Sequence, residues 1–228
     1  MKAIISLALS LAFCPISQAQ TAEEIMSSVR QVAVLQGAQD LNGVIRKGKF
    51  KTPLTLFLRG KDIQFALNGG QERFHLRLNE DNQQLRALVG GKSNPFPPQK
   101  IVAPIANTDV SYEDLALKFL YWKNPRIIKE EKINGQLCWR LHVGNPEKVG
   151  RFHEVSVWVT KKQRALMRVV GYGPRPASVP LKQFEITDVM KVNGVFTVKT
   201  MKVSSFGADK RVTGITYLEF QKPKRKAR

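Results

Sequence analysis

From Leu41 onward the apolar residues of this chain fall on every second position, and that period restricts its fold more than any other feature. Leu54, Leu56 and Leu58 form one alternating run, Ile63, Phe65 and Leu67 a second, and Phe74, Leu76 and Leu78 a third. A period of two turns one side of an extended strand toward a core and the other toward solvent. Between the runs lie Arg59-Gly60-Lys61-Asp62 and Asn68-Gly69-Gly70, and after the third comes Asn79-Glu80-Asp81-Asn82. All three stretches favour tight reversals. Strands joined by tight reversals run antiparallel, so the spacing predicts a meander.

Pro95, Pro97, Pro98 and Pro104 then crowd the run from Gly90 to Asn107, which reads as a loop. Alternation returns around Asn134-Gly135, with Leu137, Trp139, Leu141 and Val143 on one face and Cys138, Arg140 and His142 on the other. Val155, Val157 and Val159 continue it, followed by Leu166 to Tyr172. A second breaker-rich loop, Gly171 to Pro180, precedes strands at Phe184 to Val189, Val195 to Val203 and Thr213 to Phe220.

Two stretches have helical spacing instead. Thr21-Ala22-Glu23-Glu24 is a capping box, after which Ile25, Met26, Val29 and Val32 recur on one face until Gly37. In Thr108 to Trp122, Ser111 and Asp114 form another capping box, and Val110 and Leu115 stand at the positions of a hydrophobic staple. Tyr112, Leu115, Phe119 and Trp122 share a face, and Pro125 enforces a stop. Leu117, Leu120 and Tyr121 extend the apolar surface, and Lys118 is the only charge after the first turn. A helix this apolar needs a hydrophobic surface or ligand on more than one side.

About ten strands and two helices make a mainly β chain with α (α+β). A sheet of that size curls, because a flat one would leave long edges and an exposed apolar face. The expected architecture is a single curved antiparallel sheet whose concave surface is filled or lidded by the helix in its mouth.

The first residues stand apart from this fold. Lys2, an apolar run from Ala3 to Phe13 and then Ser17-Gln18-Ala19 read as a secretory signal over residues 1–19, cleaved after Ala19. The run is too short to span a membrane, which takes roughly 20 apolar residues. Leu11-Ala12-Phe13-Cys14 is similar to a lipobox but has Phe13 where a small residue is wanted, so a soluble mature protein is expected over a lipoprotein anchored at Cys14. Cleavage leaves Cys138 alone, a small hydrophobe in a strand with no disulfide partner. The folded domain is placed at residues 20–221 and a basic, disordered tail at residues 222–228. Lys and Arg number 37 against 18 Asp and Glu. That excess suits anionic membrane surfaces or acidic partners, and export argues against nucleic acid.

Three places also resemble a known family, the LolA-like outer-membrane lipoprotein-sorting proteins: Thr108 to Leu115; Val157-Trp158-Val159-Thr160-Lys161 leading to Leu166-Met167-Arg168; and Phe184 to Val189 leading to Val192-Asn193-Gly194-Val195-Phe196. The resemblance implies a half-open β-barrel covered by helices, whose hydrophobic interior receives lipoprotein acyl chains or another lipid in the periplasm, with no catalysis, cofactor or metal. It implies an inner-membrane release complex, an outer-membrane acceptor and a monomeric carrier. The side chains expected to contact ligand or act as a lid are Tyr112, Leu115, Phe119, Leu120 and Trp122, with Leu56, Leu58, Phe65, Trp139 and Val157 from the sheet. No local motif carries the lid-controlling arginine of such carriers onto Arg46 or Arg59.

Enzyme motifs are missing. Glu113 and Asp114 lie in a first helical turn, where capping explains them. His75, His142 and His153 have no metal-ligand spacing, and Cys138 and His142 lie roughly 13 Å apart along a strand. Neither a GxSxG elbow nor a P-loop occurs. The alternatives to a carrier are a periplasmic sensor or interaction module on the same fold, and a binder of anionic polymers.

Overall fold

The computed structural model describes residues 20–34, 38–174 and 179–223. The expected leader over residues 1–19, with Cys14, and most of the basic tail lie outside the described residues.

The alternating runs become strands β1 (Gln39–Lys47), β2 (Phe50–Arg59), β3 (Asp62–Leu67), β4 (Glu72–Leu78), β5 (Gln83–Val89) and β6 (Lys92–Pro95). After a long connection come β7 (Arg126–Ile133), β8 (Gln136–Gly144), β9 (Glu154–Thr160), β10 (Leu166–Tyr172), β11 (Pro180–Val192), β12 (Val195–Phe206) and β13 (Val212–Phe220). All thirteen join one curved antiparallel sheet in the order β6-β5-β4-β3-β2-β1-β13-β12-β11-β10-β9-β8-β7. Asn134-Gly135 and Asn193-Gly194 make the tight turns expected of them, with φ of 49° and 78° at the first pair and 49° and 86° at the second.

The order has a simple logic. The chain starts at the centre, steps outward to β6 at one edge, crosses to β7 at the other edge, and steps back until β13 pairs with β1, Gly43 opposite Phe220 and Arg46 opposite Tyr217. β6 and β7 do not pair, so the sheet is not closed. The crossover, residues 96–125, therefore has to traverse one face of the whole sheet. It does so on the apolar face: Phe96, Ile105, Val110 and Tyr112 pack with Leu54, Leu58, Phe65 and Phe74, whereas Phe119, Leu120 and Trp122 pack with Trp139, Leu141 and Val157.

Helix α1 (Ala22–Val34) begins with the expected capping box, Glu24 N–H donating to Thr21 Oγ1 at 3.2 Å and Thr21 N–H to Glu24 Oε2 at 2.9 Å. Its Ile25, Met26 and Val29 close the second cluster.

Several local expectations are corrected. The proline-rich run from Gly90 to Asn107 contains edge strand β6, where prolines cost no ladder bond, and a single turn of helix, α2 (Pro98–Ile101), with proline at its start. Gly171 and Tyr172 belong to β10 and Pro180 opens β11, so that loop is shorter, and its residues 175–178 lie outside the described residues. Leu137 is half-exposed at a strand end rather than buried beside Trp139.

The largest correction concerns Thr108 to Trp122, which is not one helix. α3 (Tyr112–Ala116) ends at Leu117 in the left-handed conformation (φ 52°, ψ 29°), and a 3-10 turn follows over Lys118–Tyr121. The face shared by Tyr112, Leu115, Phe119 and Trp122 in a continuous helix is thereby divided. Tyr112 and Leu115 serve the first cluster and Phe119 and Trp122 the second.

Candidate functional site

The crossover is fixed first by its own sequence. Ser111 Oγ accepts from Asp114 N–H at 3.4 Å and Asp114 Oδ2 accepts from Ser111 N–H at 2.7 Å, the capping box read from the sequence. Asp114 has a second role. Its carboxylate is wholly buried and pairs with Lys182 of β11, whose side chain is 3% exposed. Among the described residues its other oxygen, Oδ1, has no partner, nor has the buried indole Nε1 of Trp122, and both residues border one small apolar recess with Phe152 and Phe184. Lys182 was missed in sequence, although it stands two residues before Phe184 and so on the inward face.

Beside this pair, Glu113 takes the backbone N–H of Arg151 on both oxygens, at 3.1 and 3.2 Å. Burial raises its pKa above the ordinary carboxylate value against the opposing pull of that N–H. Gly150 has φ +94°, and a β-carbon there would collide with the Glu113 carboxylate, so the loop before β9 can close over α3 only with glycine at this point. Asp109 anchors the other end of the crossover, accepting from Thr216 Oγ1 at 2.8 Å and pairing with Lys47 at 3.0 Å. Tyr112 O–H donates to Glu72 at 2.5 Å, and burial together with that bond pushes its pKa far up.

The ten side chains expected to meet ligand fall into two groups. Tyr112, Leu115, Leu56, Leu58 and Phe65 belong to the first cluster, where Phe65 stacks on Phe74 at 4.5 Å and Tyr112 meets Phe74 edge-on at 5.3 Å. Phe119, Leu120, Trp122, Trp139 and Val157 belong to the second. Leu117, Tyr121 and Phe184 touch both clusters and join them. All ten face the crossed side of the sheet, and they are packed against one another.

An open cleft of about 570 Å³ lies next to this packed interior, between α1 and the turns after β2 and β4. Ser27, Arg30, Gln31, Lys61, Leu78, Glu80, Asp81 and Tyr121 line it, and none of the ten candidates does. Arg30 touches the crossover with its side chain. It donates from Nη1 to the Leu120 carbonyl at 2.5 Å and lies over the Tyr121 ring at 5.4 Å. Burial raises the Tyr121 pKa and Arg30 opposes the rise. Arg46 and Arg59 do other work, pairing with Glu219 at 2.6 Å and Asp40 at 2.6 Å. A signal for Arg30 existed, since it is the only cation of α1 and falls four residues after buried Met26.

On the other side of the sheet, Cys138 is fully buried with Trp158, Ile133 and Val170, and burial raises its thiol pKa. His142 pairs with Glu154 at 3.3 Å and His75 with Asp62 at 2.8 Å. Among the described residues no three His, Cys, Asp or Glu side chains converge as a metal site, and no helix is long and apolar enough to cross a membrane.

A family model described only as an uncharacterized "-like" protein matches residues 97–225, more than half of the chain. The chain belongs to that family. No curated protein matches it by sequence. Among solved structures it is similar to a DUF1329 family protein from Desulfovibrio piger, at 16% identity over 87% of this chain and 89% of that one, with a TM-score of 0.66. A structure named for outer-membrane lipoprotein sorting, from Vibrio parahaemolyticus, matches at 15% identity, covering 86% and 89%, with a TM-score of 0.64. A LolA superfamily protein from Nitrosomonas europaea matches at 13%, covering 89% and 92%, with a TM-score of 0.62. At these identities the likeness is one of fold, and the LolA-like resemblance read from the sequence holds at that level.

Proposed function

We propose that the protein is a periplasmic carrier that takes up lipoprotein acyl chains, or another lipid, in the interior of a half-open β-barrel for transfer to the outer membrane. The observation that carries this reading is the crossover: a segment with broken helical structure whose apolar side chains fill the concave face of an unclosed sheet. Burying an acyl chain gains about 0.8 kcal/mol per CH₂, which by itself would make binding too tight to reverse. A plug that refills the interior supplies competition, since the ligand gains only the difference between the two fillings.

In this reading Phe119, Leu120 and Trp122 leave the second cluster when ligand enters, exposing Trp139 and Val157. Tyr112, Leu115, Leu56, Leu58 and Phe65 line the deeper part. The cleft at Arg30 and Tyr121 is the point of entry, because there the plug borders open space. The carrier works as a monomer, takes cargo from an inner-membrane release complex and delivers it to an outer-membrane acceptor. It has no enzymatic step.

Native mass spectrometry of protein purified from its own periplasm tests this. A co-purifying lipid or acylated polypeptide is expected. A protein that is always empty, and that also fails to bind a fluorescent acyl probe, refutes the carrier.

A further inference from the structure

Because every neighbouring pair of strands is antiparallel, their connections sort into two sets, one at each end of the sheet. Residues 60–61, 79–82, 134–135, 161–165 and 193–194 lie at the end that carries the open cleft. Residues 48–49, 68–71, 90–91, 145–153 and 207–211, with the connection from β10 to β11, lie at the other.

That second end has a repeated composition. At four of these six connections one large apolar side chain is left in solvent: Phe50 (70% exposed), Val89 (66%), Val149 (65%) and Val212 (50%). Each has cations beside it. Phe50 stands between Lys49 and Lys51, Val89 faces Lys92 across its turn, Lys148 precedes Val149, and Lys210-Arg211 precede Val212. Lys49, Lys92, Lys148 and Lys210 form no ion pair among the described residues. The nearby carboxylates are engaged, Glu147 with Lys118 and Asp209 with Arg211. The cleft end also exposes Leu137 and Phe196 at its turns, but it carries the exposed acids Glu80 and Asp81 as well.

We propose that the end of the sheet bearing Phe50, Val89, Val149 and Val212 docks on an anionic lipid bilayer. The apolar tips enter the boundary between headgroups and acyl chains, and the lysines beside them meet headgroup phosphates. A protein partner fits less well, because protein interfaces have a continuous apolar centre depleted in lysine. Here single apolar residues on separate turns alternate with cations, the mixture that suits a lipid interface. The docking leaves the cleft facing away from the bilayer. It does not depend on the carrier reading, since the cleft takes no part and, of the four tips, only Val149 borders the plug, at the small recess it shares with Phe119 and Trp122.

The test is co-sedimentation of the full chain with vesicles of phosphatidylcholine containing one third phosphatidylglycerol, and with phosphatidylcholine alone. Binding is expected only to the anionic vesicles. Phe50→Ser should lower partitioning about tenfold, and Lys49→Gln about fivefold at low salt. Phe196→Ser, an equally simple change at the opposite end, should leave it unchanged. As a second measurement, Phe50→Trp emission should shift to the blue when anionic vesicles are added. Three results overturn the proposal: equal binding to both vesicle types; no blue shift; or a Phe50→Ser variant that binds like the parent. The last would point to charge alone, as for a soluble polyanion.

Discussion

Arg30 offers the sharpest test of the plug, because its removal should move stability and ligand affinity in opposite directions. Its guanidinium donates to the Leu120 carbonyl at 2.5 Å and lies 5.4 Å from the centre of the Tyr121 ring, so it holds the 3-10 turn of the crossover against α1. A charged hydrogen bond contributes about 1.5–3 kcal/mol and a half-exposed cation–π contact about 0.5–1 kcal/mol. Arg30→Met keeps the apolar stem, so a net loss of about 2 kcal/mol is expected after allowance for solvent at a half-buried side chain. The filled interior loses that amount and a ligand-bound form without the latch does not. Affinity for a fluorescent acyl probe should therefore rise, by up to about 30-fold for 2 kcal/mol. Urea denaturation of the empty protein should show the same energy as lost stability. Arg211→Met is the control, removing an exposed pair with Asp209 and changing stability by under about 1 kcal/mol. If Arg30→Met weakened the fold and left probe affinity unchanged or lowered, the ligand would not be displacing the crossover and the plug reasoning would fail.

Lys182→Met leaves the Asp114 carboxylate buried without a counter-charge and should cost about 3–5 kcal/mol in urea denaturation, most of it recovered by adding Asp114→Asn, which keeps the capping acceptor. Equal losses in the single and double variants would mean the pair is not coupled. Glu113, raised by burial, binds its proton more readily folded than unfolded. It therefore withdraws stability as pH rises from its ordinary value of 4.5 through its folded value, and Glu113→Gln should flatten that decline; an unchanged pH profile contradicts the assignment. In a Trp139→Phe, Trp158→Phe background Trp122 is the remaining tryptophan of three, and its buried emission should shift to the red when an unlabelled fatty acid drives the crossover out. An emission that stays put while ligand binds would locate the ligand elsewhere.

Most of the sheet was legible because its strands alternate cleanly: Leu54, Leu58 and Phe65 are buried where a period of two places them, and the Asn-Gly pairs turn as their chemistry requires. What escaped has physical reasons. β6 consists of Lys92-Ser93-Asn94-Pro95, an edge strand with no apolar residue and one proline, and pairing with β5 alone makes it a strand. β7 is also an edge, and its Lys129, Glu130, Glu131 and Lys132 carry no burial pattern to read. The order of strands was less accessible still. A local pattern cannot say that β13 returns to β1, since that pairing brings together residues some 170 positions apart, such as Arg46 and Glu219.

The site was legible in composition and not in shape. The excess of apolar residues after Ser111 calls for more than one hydrophobic surface, as found, but its spacing predicts a straight helix as the means of reaching them. The connection from β6 to β7 must instead cross two halves of one curved face, and a rigid rod presents a single line of contact to each. Leu117 resolves this by taking a left-handed conformation that costs a leucine about 1–2 kcal/mol. The turn directs Tyr112 into one cluster and Leu120 into the other, while Leu117 itself packs against both. The break also divides the crossover mechanically. α3 is tied down by the capping box, the buried Lys182 pair and the Glu113 contact, whereas the 3-10 turn beyond Leu117 is tied to α1 through Arg30. If the interior opens, the hinge therefore belongs at Leu117, with residues 118–122 moving and residues 108–116 staying in place.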